Sequence, residues 1–151
     1  MNMSPITDFE LPSTGNKTFK LSDARGKKLV VYFYPKDDTP GCTVEGSDFR
    51  DLYAQFQASN CDIVGISRDD MKSHEKFKTK LSLPFELLSD TDETVCELFG
   101  VMKLKNMYGK EVRGVERSTF IFDAEGKLVQ EMRGVKSADH AQAVLGTVQS
   151  L

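Results

Sequence analysis

The sequence predicts an α/β fold with a mixed central sheet and helices on both faces, in one domain that spans residues 1–151. The main evidence is a strand pattern at residues 29–34, a helical pattern at residues 42–56 and a second strand pattern at residues 61–67. A strand, a helix and a strand of these lengths form a βαβ unit with parallel strands. Hairpin patterns near both ends of the chain add antiparallel strands.

The first strand of this unit, residues 29–34, is apolar throughout, which is typical of a strand buried on both faces. Pro35 ends it, because a proline cannot donate to the ladder of hydrogen bonds. A polar corner follows, and then Cys42. Beyond it, apolar residues recur at the helical spacing i, i+3, i+4 and i+7: Phe49, Leu52, Tyr53 and Phe56. The same stripe includes Cys42, so a thiol is predicted where the strand passes into the first turn of a helix.

This position of Cys42 favours reactivity. The N–H groups of a first helical turn lack partners, and the positive end of the helix dipole stabilises a thiolate, the nucleophilic form. Thr39 is predicted to cap the helix or to direct its hydroxyl at the thiol, and Pro40 suits an early helical position. The alternative is a buried cysteine that packs as a small hydrophobic side chain. The Thr-Pro-Gly corner and the buried strand before it favour the reactive thiol.

Further elements are predicted on both sides of the central unit. They are a hairpin of residues 8–11 and 18–21, a helix at 74–81 capped by Ser73, a strand at 85–88 and a helix from Asp92 that ends at Gly100. Residues 101–116 are predicted to be irregular around a turn at 106–109. Strands at 118–122 and 128–132 then form a second hairpin. Ser137 is predicted to cap a last helix with one apolar face: Ala141, Val144, Leu145 and Val148.

Composition limits the classes of function. The chain is 39% hydrophobic and 28% charged with a net charge of −3, which argues against nucleic acid or an anionic membrane as the main partner. Residues 1–20 show no secretory signal pattern, and no apolar run approaches the length that spans a membrane. Three cysteines without a disulfide-framework spacing suit a reducing compartment, so a cytoplasmic location is expected.

Residues 35–42, Pro-Lys-Asp-Asp-Thr-Pro-Gly-Cys, resemble the peroxiredoxin active-site pattern Pro-x-x-x-Thr-x-x-Cys. The flanking residues 33–35 and Glu45 are similar to the bacterioferritin comigratory protein (PrxQ) subfamily. Residues 106–110 and 116–120 resemble the same subfamily, and the resemblance extends in order over essentially the whole chain. The sequence is therefore identified as a member of the peroxiredoxins.

The resemblance implies a thioredoxin-like fold with a peroxiredoxin-type N-terminal hairpin, and a thiol peroxidase that reduces hydrogen peroxide and organic hydroperoxides without a cofactor. Cys42 would attack the peroxide and become a sulfenic acid. Thr39 and Arg117 would hold the peroxide and the thiolate, with Pro35 and Gly41 completing the substrate site. An arginine suits this role because it stays charged and presents several donors in a fixed fork. The alternative for Arg117 is a solvated charge at the start of a strand.

Other polar residues are weaker candidates. Glu45 either shares the family's role or is a first-turn acid that favours the helix dipole. His74 and His140 are predicted on helix surfaces without metal-ligand spacing, so no metal site is expected. Cys61 and Cys96 lie in apolar surroundings and are predicted to be core residues.

The chain departs from the subfamily at the resolving cysteine, the second thiol that would attack the sulfenic acid. The two positions where relatives carry it are occupied by Ser47 and Lys78. We therefore expect a peroxidase with one essential cysteine, recycled by thioredoxin, glutaredoxin or a small thiol. One alternative is a two-cysteine peroxidase that uses Cys96, and another is a non-enzymatic redox-responsive binding module. A monomer is expected, with a weak dimer as its alternative.

Overall fold

The structure, a computed structural model, describes residues 8–151 apart from the side chain of Met107. The strands in this range are β1 (Glu10–Ser13), β2 (Lys17–Lys20), β3 (Lys28–Phe33), β4 (Cys61–Ser67), β5 (Glu86–Ser89), β6 (Met102–Met107), β7 (Lys110–Val115), β8 (Ser118–Phe122) and β9 (Leu128–Arg133). The α-helices are α1 (Pro40–Ala58), α2 (Met71–Leu81), α3 (Thr94–Leu98) and α4 (His140–Gln149), and a short 3-10 helix covers Leu21–Ala24. None of the helices in the described range is long and apolar enough to cross a bilayer.

Seven strands form the central sheet in the order β2-β1-β5-β4-β3-β8-β9. The pairs β3–β4 and β4–β5 are parallel, while β8 pairs with β3 and β9 in the antiparallel sense. The sheet is therefore mixed, as predicted. One core packs residues of α1, α2 and α4 against one face, and a second core packs α3 and the base of the β6–β7 hairpin against the other face.

Strand β3 supplies both cores because successive side chains of a strand point to opposite faces. Val30 and Tyr32 belong to the core beside α1, and Val31 and Phe33 belong to the opposite core. Burial on both faces is confirmed. The strand ends at Phe33 rather than at residue 34, although the Tyr34 N–H still donates to the Ile66 carbonyl at 3.0 Å.

The region of residues 101–116, predicted to be irregular, is a two-stranded antiparallel hairpin of β6 and β7. Tyr108 (φ 54°) and Gly109 (φ 80°) form its turn in the left-handed region, as in the primed turns that connect hairpin strands. The prediction was wrong because polar residues dominate both strands and little of this hairpin is buried, which leaves no hydrophobic alternation to detect.

Several helix boundaries differ from the prediction. Helix α2 begins at Met71, and its cap is Asp70, whose side chain accepts a hydrogen bond from the Ser73 N–H. Ser73 is thus inside the helix and is not its cap. Asp139, in the left-handed region, occupies the cap position of α4 in place of Ser137. Asp92 precedes α3 and accepts from the Thr94 N–H, and Gly100 follows that helix with a φ of 67°.

The packing of β3 against β4 generates a stability prediction. An added Cβ at Gly65 would lie 2.8 Å from the Tyr32 ring and 3.0 Å from a Leu87 methyl, so Gly65→Ala should lower the free energy of unfolding by about 1–3 kcal/mol. Gly146 of α4 has open space around it, and Gly146→Ala should raise that free energy by about 0.5–1 kcal/mol. Urea unfolding of both variants checks this, and an unchanged midpoint for Gly65→Ala would show that the core repacks freely.

Candidate active site

Cys42 is the third residue of α1 and lies beyond the carboxyl end of β3. Its side chain is only 2% exposed and belongs to the core beside α1. The N–H groups of Gly41 and Cys42 are in the first turn, where no intrahelical acceptor exists. The thiol therefore lies at the positive end of a helix of 19 residues, which stabilises negative charge on sulfur.

Arg117 lies beside this thiol. It directly precedes β8, and the pairing of Ser118 with Phe33 places it next to the end of β3. Its Nη2 donates to Cys42 Sγ at 3.5 Å, and its Nη1 donates to Glu45 Oε1 at 2.6 Å. The side chain is 15% exposed, so the interpretation of Arg117 as a solvated strand-start charge is wrong.

Glu45 holds the guanidinium from the opposite side. Its side chain is fully buried one turn after Cys42, and its Oε2 has no hydrogen-bond partner among the described residues. Burial raises the pKa of the carboxyl from its usual 4.5 to about 7, while the Arg117 guanidinium opposes this rise. The interpretation of Glu45 as a first-turn acid that favours the helix dipole is wrong, because the carboxylate points into the site and pairs with Arg117.

Thr39 occupies the cap position of α1 but makes no cap hydrogen bond. Its Oγ1 instead donates to the Lys36 carbonyl at 2.8 Å, which closes the turn of residues 36–39. We call these four residues the active-site turn. The hydroxyl proton is used within the turn, so any contact that Thr39 makes with a ligand uses the oxygen lone pairs.

Two further residues of the expected substrate site, Gly41 and Pro35, limit the space and the hydrogen-bond donors around the thiol. An added Cβ at Gly41 would lie 3.0 Å from Arg117 Nη2 and 3.5 Å from Ser137 Oγ, so only glycine leaves full room for the guanidinium. Pro35 is half-buried between β3 and the active-site turn. It offers no N–H that could compete for an acceptor.

Both histidines are buried, so their predicted place on helix surfaces is wrong. His140 Nε2 lies 2.7 Å from Thr119 Oγ1, and burial and Arg117 lower the pKa of His140 to about 4. His74 Nδ1 lies 2.7 Å from Asp37 Oδ2. His74 also lies with Asp37 and Asp69 in a group whose possible ligand atoms fall within 4.8 Å, although both of its ring nitrogens already have protein partners.

The sequence did contain a signal for these buried polar residues. Glu45 follows Cys42 by three positions and precedes Phe49 by four, so it shares the inward stripe of α1. His74 likewise precedes Phe77 by three positions on the stripe of α2. A polar residue on an apolar stripe is buried with its partners.

The other two cysteines are core residues, as predicted. Cys61 opens β4 and Cys96 lies in α3, and both are buried and free. Burial raises the pKa of the Cys61 thiol to about 12, and burial together with Asp90 raises that of Cys96. Both thiols are therefore held in the unreactive protonated form.

A thioredoxin-like α/β fold with a thiol at a helix start, next to a buried arginine, defines a class of thiol-dependent oxidoreductases. Comparison with known proteins narrows the class. A family model described as AhpC/TSA family matches residues 3–131. The chain therefore belongs to the peroxiredoxins of this family, in the bacterioferritin comigratory protein (PrxQ) subfamily, and it is a thiol peroxidase.

Individual relatives match over nearly their full length. The chain is 50% identical to peroxiredoxin Bcp of Xanthomonas campestris over 97% of this chain and 92% of that protein. It is 49% identical to peroxiredoxin Bcp of Bacillus subtilis over 95% and 92% of the two chains. A solved structure of the Xanthomonas campestris bacterioferritin comigratory protein, which concerns its alkyl peroxide reduction, superposes with a TM-score of 0.90 at 48% identity and covers 94% of this chain and 90% of that chain.

The raised pKa of Glu45 predicts how stability depends on pH. Between about 4.5 and 7 the folded chain keeps a proton on Glu45 that the unfolded chain has lost, so the free energy of unfolding falls as pH rises through this window. Glu45→Gln removes this contribution. His140 has the opposite slope, because its depressed pKa costs stability as pH falls below 6.5, but it is present in both chains and cancels. Urea unfolding of both chains across the window should show wild type losing stability relative to Glu45→Gln; a relative gain would contradict the assignment.

The close approach at Gly41 predicts a selective loss of rate. In Gly41→Ala the new methyl pushes Arg117 Nη2 away from Cys42 Sγ, and the peroxide reaction should slow by about tenfold or more. The melting temperature should not fall in step, since alanine is the better helix former. Competition for peroxide against a reference peroxidase gives the rate, with Gly146→Ala as the matched helical control. Equal rates in the two variants would show that the guanidinium does not depend on this glycine.

Proposed function

We propose that this chain is a thiol peroxidase with one essential cysteine, Cys42, that reduces hydrogen peroxide and organic hydroperoxides and is recycled by an external thiol. The observation that carries the proposal is the double contact of Arg117. One guanidinium nitrogen lies 3.5 Å from Cys42 Sγ while the other is fixed 2.6 Å from Glu45 Oε1. A cation fixed beside the sulfur stabilises the negative charge of the thiolate and the charge that develops on the peroxide as its O–O bond breaks.

The proposed reaction begins with the Cys42 thiolate. It attacks the terminal hydroxyl oxygen of the peroxide, so that an S–O bond forms and the O–O bond breaks. The sulfur leaves the step as a sulfenic acid, two electrons more oxidised. The remaining alkoxide, or hydroxide from hydrogen peroxide, takes a proton from water and departs as an alcohol or as water. The step needs no cofactor, because the thiolate supplies both electrons.

Donors and acceptors around the sulfur are suited to this transition state. Arg117 and the first-turn N–H groups of Gly41 and Cys42 supply donors for the charge that develops on the leaving oxygen. The Thr39 hydroxyl donates its hydrogen bond to the Lys36 carbonyl, so its oxygen lone pairs are free to accept a hydrogen bond from the peroxide O–H. Pro35, at the edge of the active-site turn, adds no competing donor. We therefore include Thr39, Gly41, Arg117 and Pro35 in the proposed substrate site.

The positions of the other cysteines support recycling from outside. Cys61 pairs with Lys28 at the start of β3, whereas Cys42 lies beyond Phe33 at its end, about 17 Å of strand away. Cys96 belongs to the core on the opposite face of the sheet. Thiols bridge without backbone movement only when their Cα atoms lie within about 7 Å.

Neither position used by relatives for a resolving thiol offers one here. Ser47 is half-buried in α1, and Lys78 Nζ lies 2.6 Å from Glu86 Oε1. An external thiol, carried by thioredoxin, glutaredoxin or a small molecule, would attack the Cys42 sulfenic acid and release water. A second thiol would then reduce the mixed disulfide.

The test is the intact mass of the chain after one equivalent of peroxide, with and without a small thiol, followed by nonreducing peptide mapping. Cys42 should gain one oxygen atom, and the thiol should convert it to a mixed disulfide. The double variant Cys61→Ser, Cys96→Ser should behave in the same way, whereas Cys42→Ser should not react. Because no internal thiol competes, excess peroxide should drive Cys42 on to the sulfinic acid.

Two outcomes would replace this proposal. A dominant Cys42–Cys96 linked peptide would make the chain a two-cysteine peroxidase with Cys96 as the resolving residue. Oxidation of Cys42 without turnover, in the presence of thioredoxin, glutaredoxin and small thiols, would favour the redox-responsive binding module.

A further inference from the structure

A buried polar network lies behind the active-site turn. Asp37 is buried although its neighbours Lys36 and Asp38 are exposed. Its carboxyl accepts from Tyr34 Oη at 2.6 Å on one oxygen and from Ser73 Oγ at 2.8 Å on the other, which also lies 2.7 Å from His74 Nδ1. The Asp37 N–H donates to Asp69 Oδ2 at 2.8 Å. We call Tyr34, Asp37, Asp69, Ser73 and His74 the Asp37 network.

The contacts of His74 define where its protons lie. The ring is fully buried, and its Nε2 lies 2.8 Å from the Leu88 carbonyl of β5, which can only accept, so Nε2 carries a proton. Nδ1 faces the Asp37 carboxyl, to which Tyr34 and Ser73 already donate. Both carboxyl oxygens of Asp37 therefore already act as acceptors. The 2.7 Å separation of Nδ1 from Asp37 Oδ2 therefore suits an N–H donor at Nδ1, as in a buried ion pair of His74 with Asp37.

This network is the main anchor of the active-site turn. Within the turn, Thr39 Oγ1 is bonded to the Lys36 carbonyl, and Asp38 adopts the left-handed region with a φ of 59°. Outside the turn, Lys80 forms an ion pair with Asp38, but both side chains are more than half exposed. Such exposed ion pairs contribute little to stability. Asp37 links the turn to Tyr34, directly after β3, and to His74 of α2, which in turn contacts the Leu88 carbonyl of β5.

We propose that Asp37 and His74 are positioning residues for the peroxide reaction. Their buried ion pair holds the active-site turn, and with it the Thr39 hydroxyl and the first-turn N–H groups, in place around the Cys42 sulfur. The proposal rests on the function proposed for Cys42 and Thr39. The pair does not touch the reacting atoms. It acts through the Lys36–Thr39 hydrogen bond and through the entry of the chain into α1.

Comparing two reactions of the same thiol separates positioning from simple stabilisation. Peroxide uses Thr39 and the first-turn donors, whereas alkylation by iodoacetamide needs only an accessible thiolate. Loss of the network should therefore slow the peroxide reaction by about tenfold to a hundredfold, while alkylation of the buried Cys42 is unchanged or faster. A role in the core alone would leave the peroxide rate of the folded chain close to that of wild type.

The experiment measures both rates, with the melting temperature, in His74→Gln and Asp37→Asn. The glutamine can serve only one of the two partners of His74. The asparagine keeps the shape of Asp37 and can still hydrogen-bond a neutral imidazole, so it should cost less rate than His74→Gln. Lys80→Ala, which removes the exposed contact of the same turn, is the matched control and should stay within about twofold of wild type in both reactions. Parallel changes in the two rates, or peroxide rates within twofold of wild type, would overturn the proposal.

A second measurement does not depend on how the variants fold. Nitrogen NMR of wild type near neutral pH should show both ring nitrogens of His74 protonated, and the same signals should persist in Cys42→Ser. One bare ring nitrogen on His74 would overturn the ion pair. Failure of the proposed function would be recognised by a different result. Cys42→Ser would then still consume peroxide, while the His74 signals stayed as expected.

Discussion

The ion pair between Arg117 and Glu45 is the interaction on which the site depends. Arg117 reaches Cys42 only because β8 pairs with β3, and its guanidinium is held there only because Glu45 lies on the inward stripe of α1. Breaking such a buried pair by removing one partner typically costs about 3–5 kcal/mol, because the other charge is left uncompensated. The pair thus joins α1 to the sheet and directs a cation at the sulfur, so one contact serves both stability and chemistry.

Placing this pair in an apolar region constrains its surroundings. Glu45 keeps one carboxylate oxygen without a partner among the described residues, and its pKa rises accordingly. Gly41 must stay small because Arg117 Nη2 fills the space that a side chain would need. The glycine that precedes Cys42 therefore has a packing reason beyond its backbone N–H. The Thr-Pro-Gly corner therefore has two roles: it starts α1, and its glycine leaves room for the Arg117 guanidinium.

The sequence predicted the βαβ unit well, because β3 and α1 have strong and different hydrophobic periods. The same reasoning placed Cys42 on the inward face of α1. Polar residues on inward stripes were harder. His74 and His140 were wrongly placed on helix surfaces and the role of Glu45 was left open, because their partners lie on distant segments. The β6–β7 hairpin was missed because only its base is buried and the rest is an exposed, lysine-rich ribbon without hydrophobic alternation. Ser73 and Ser137 were assigned as caps by residue type, whereas the helices begin after Asp70 and Asp139.

Peroxide capture and recycling place opposite demands on the first turn of α1. Cys42 is 2% exposed, which suits a small peroxide held by fixed donors. An attacking thiol must approach the oxidised sulfur in line with the bond that breaks, and a thiol carried on a protein is far bulkier than a peroxide. In the proposed one-cysteine cycle, Ser47 and Lys78 leave the attack on the oxidised sulfur to a thiol from outside the chain. In that cycle a small thiol meets the same steric limits as a peroxide, whereas a thiol on a protein would have to reach a sulfur that is only 2% exposed.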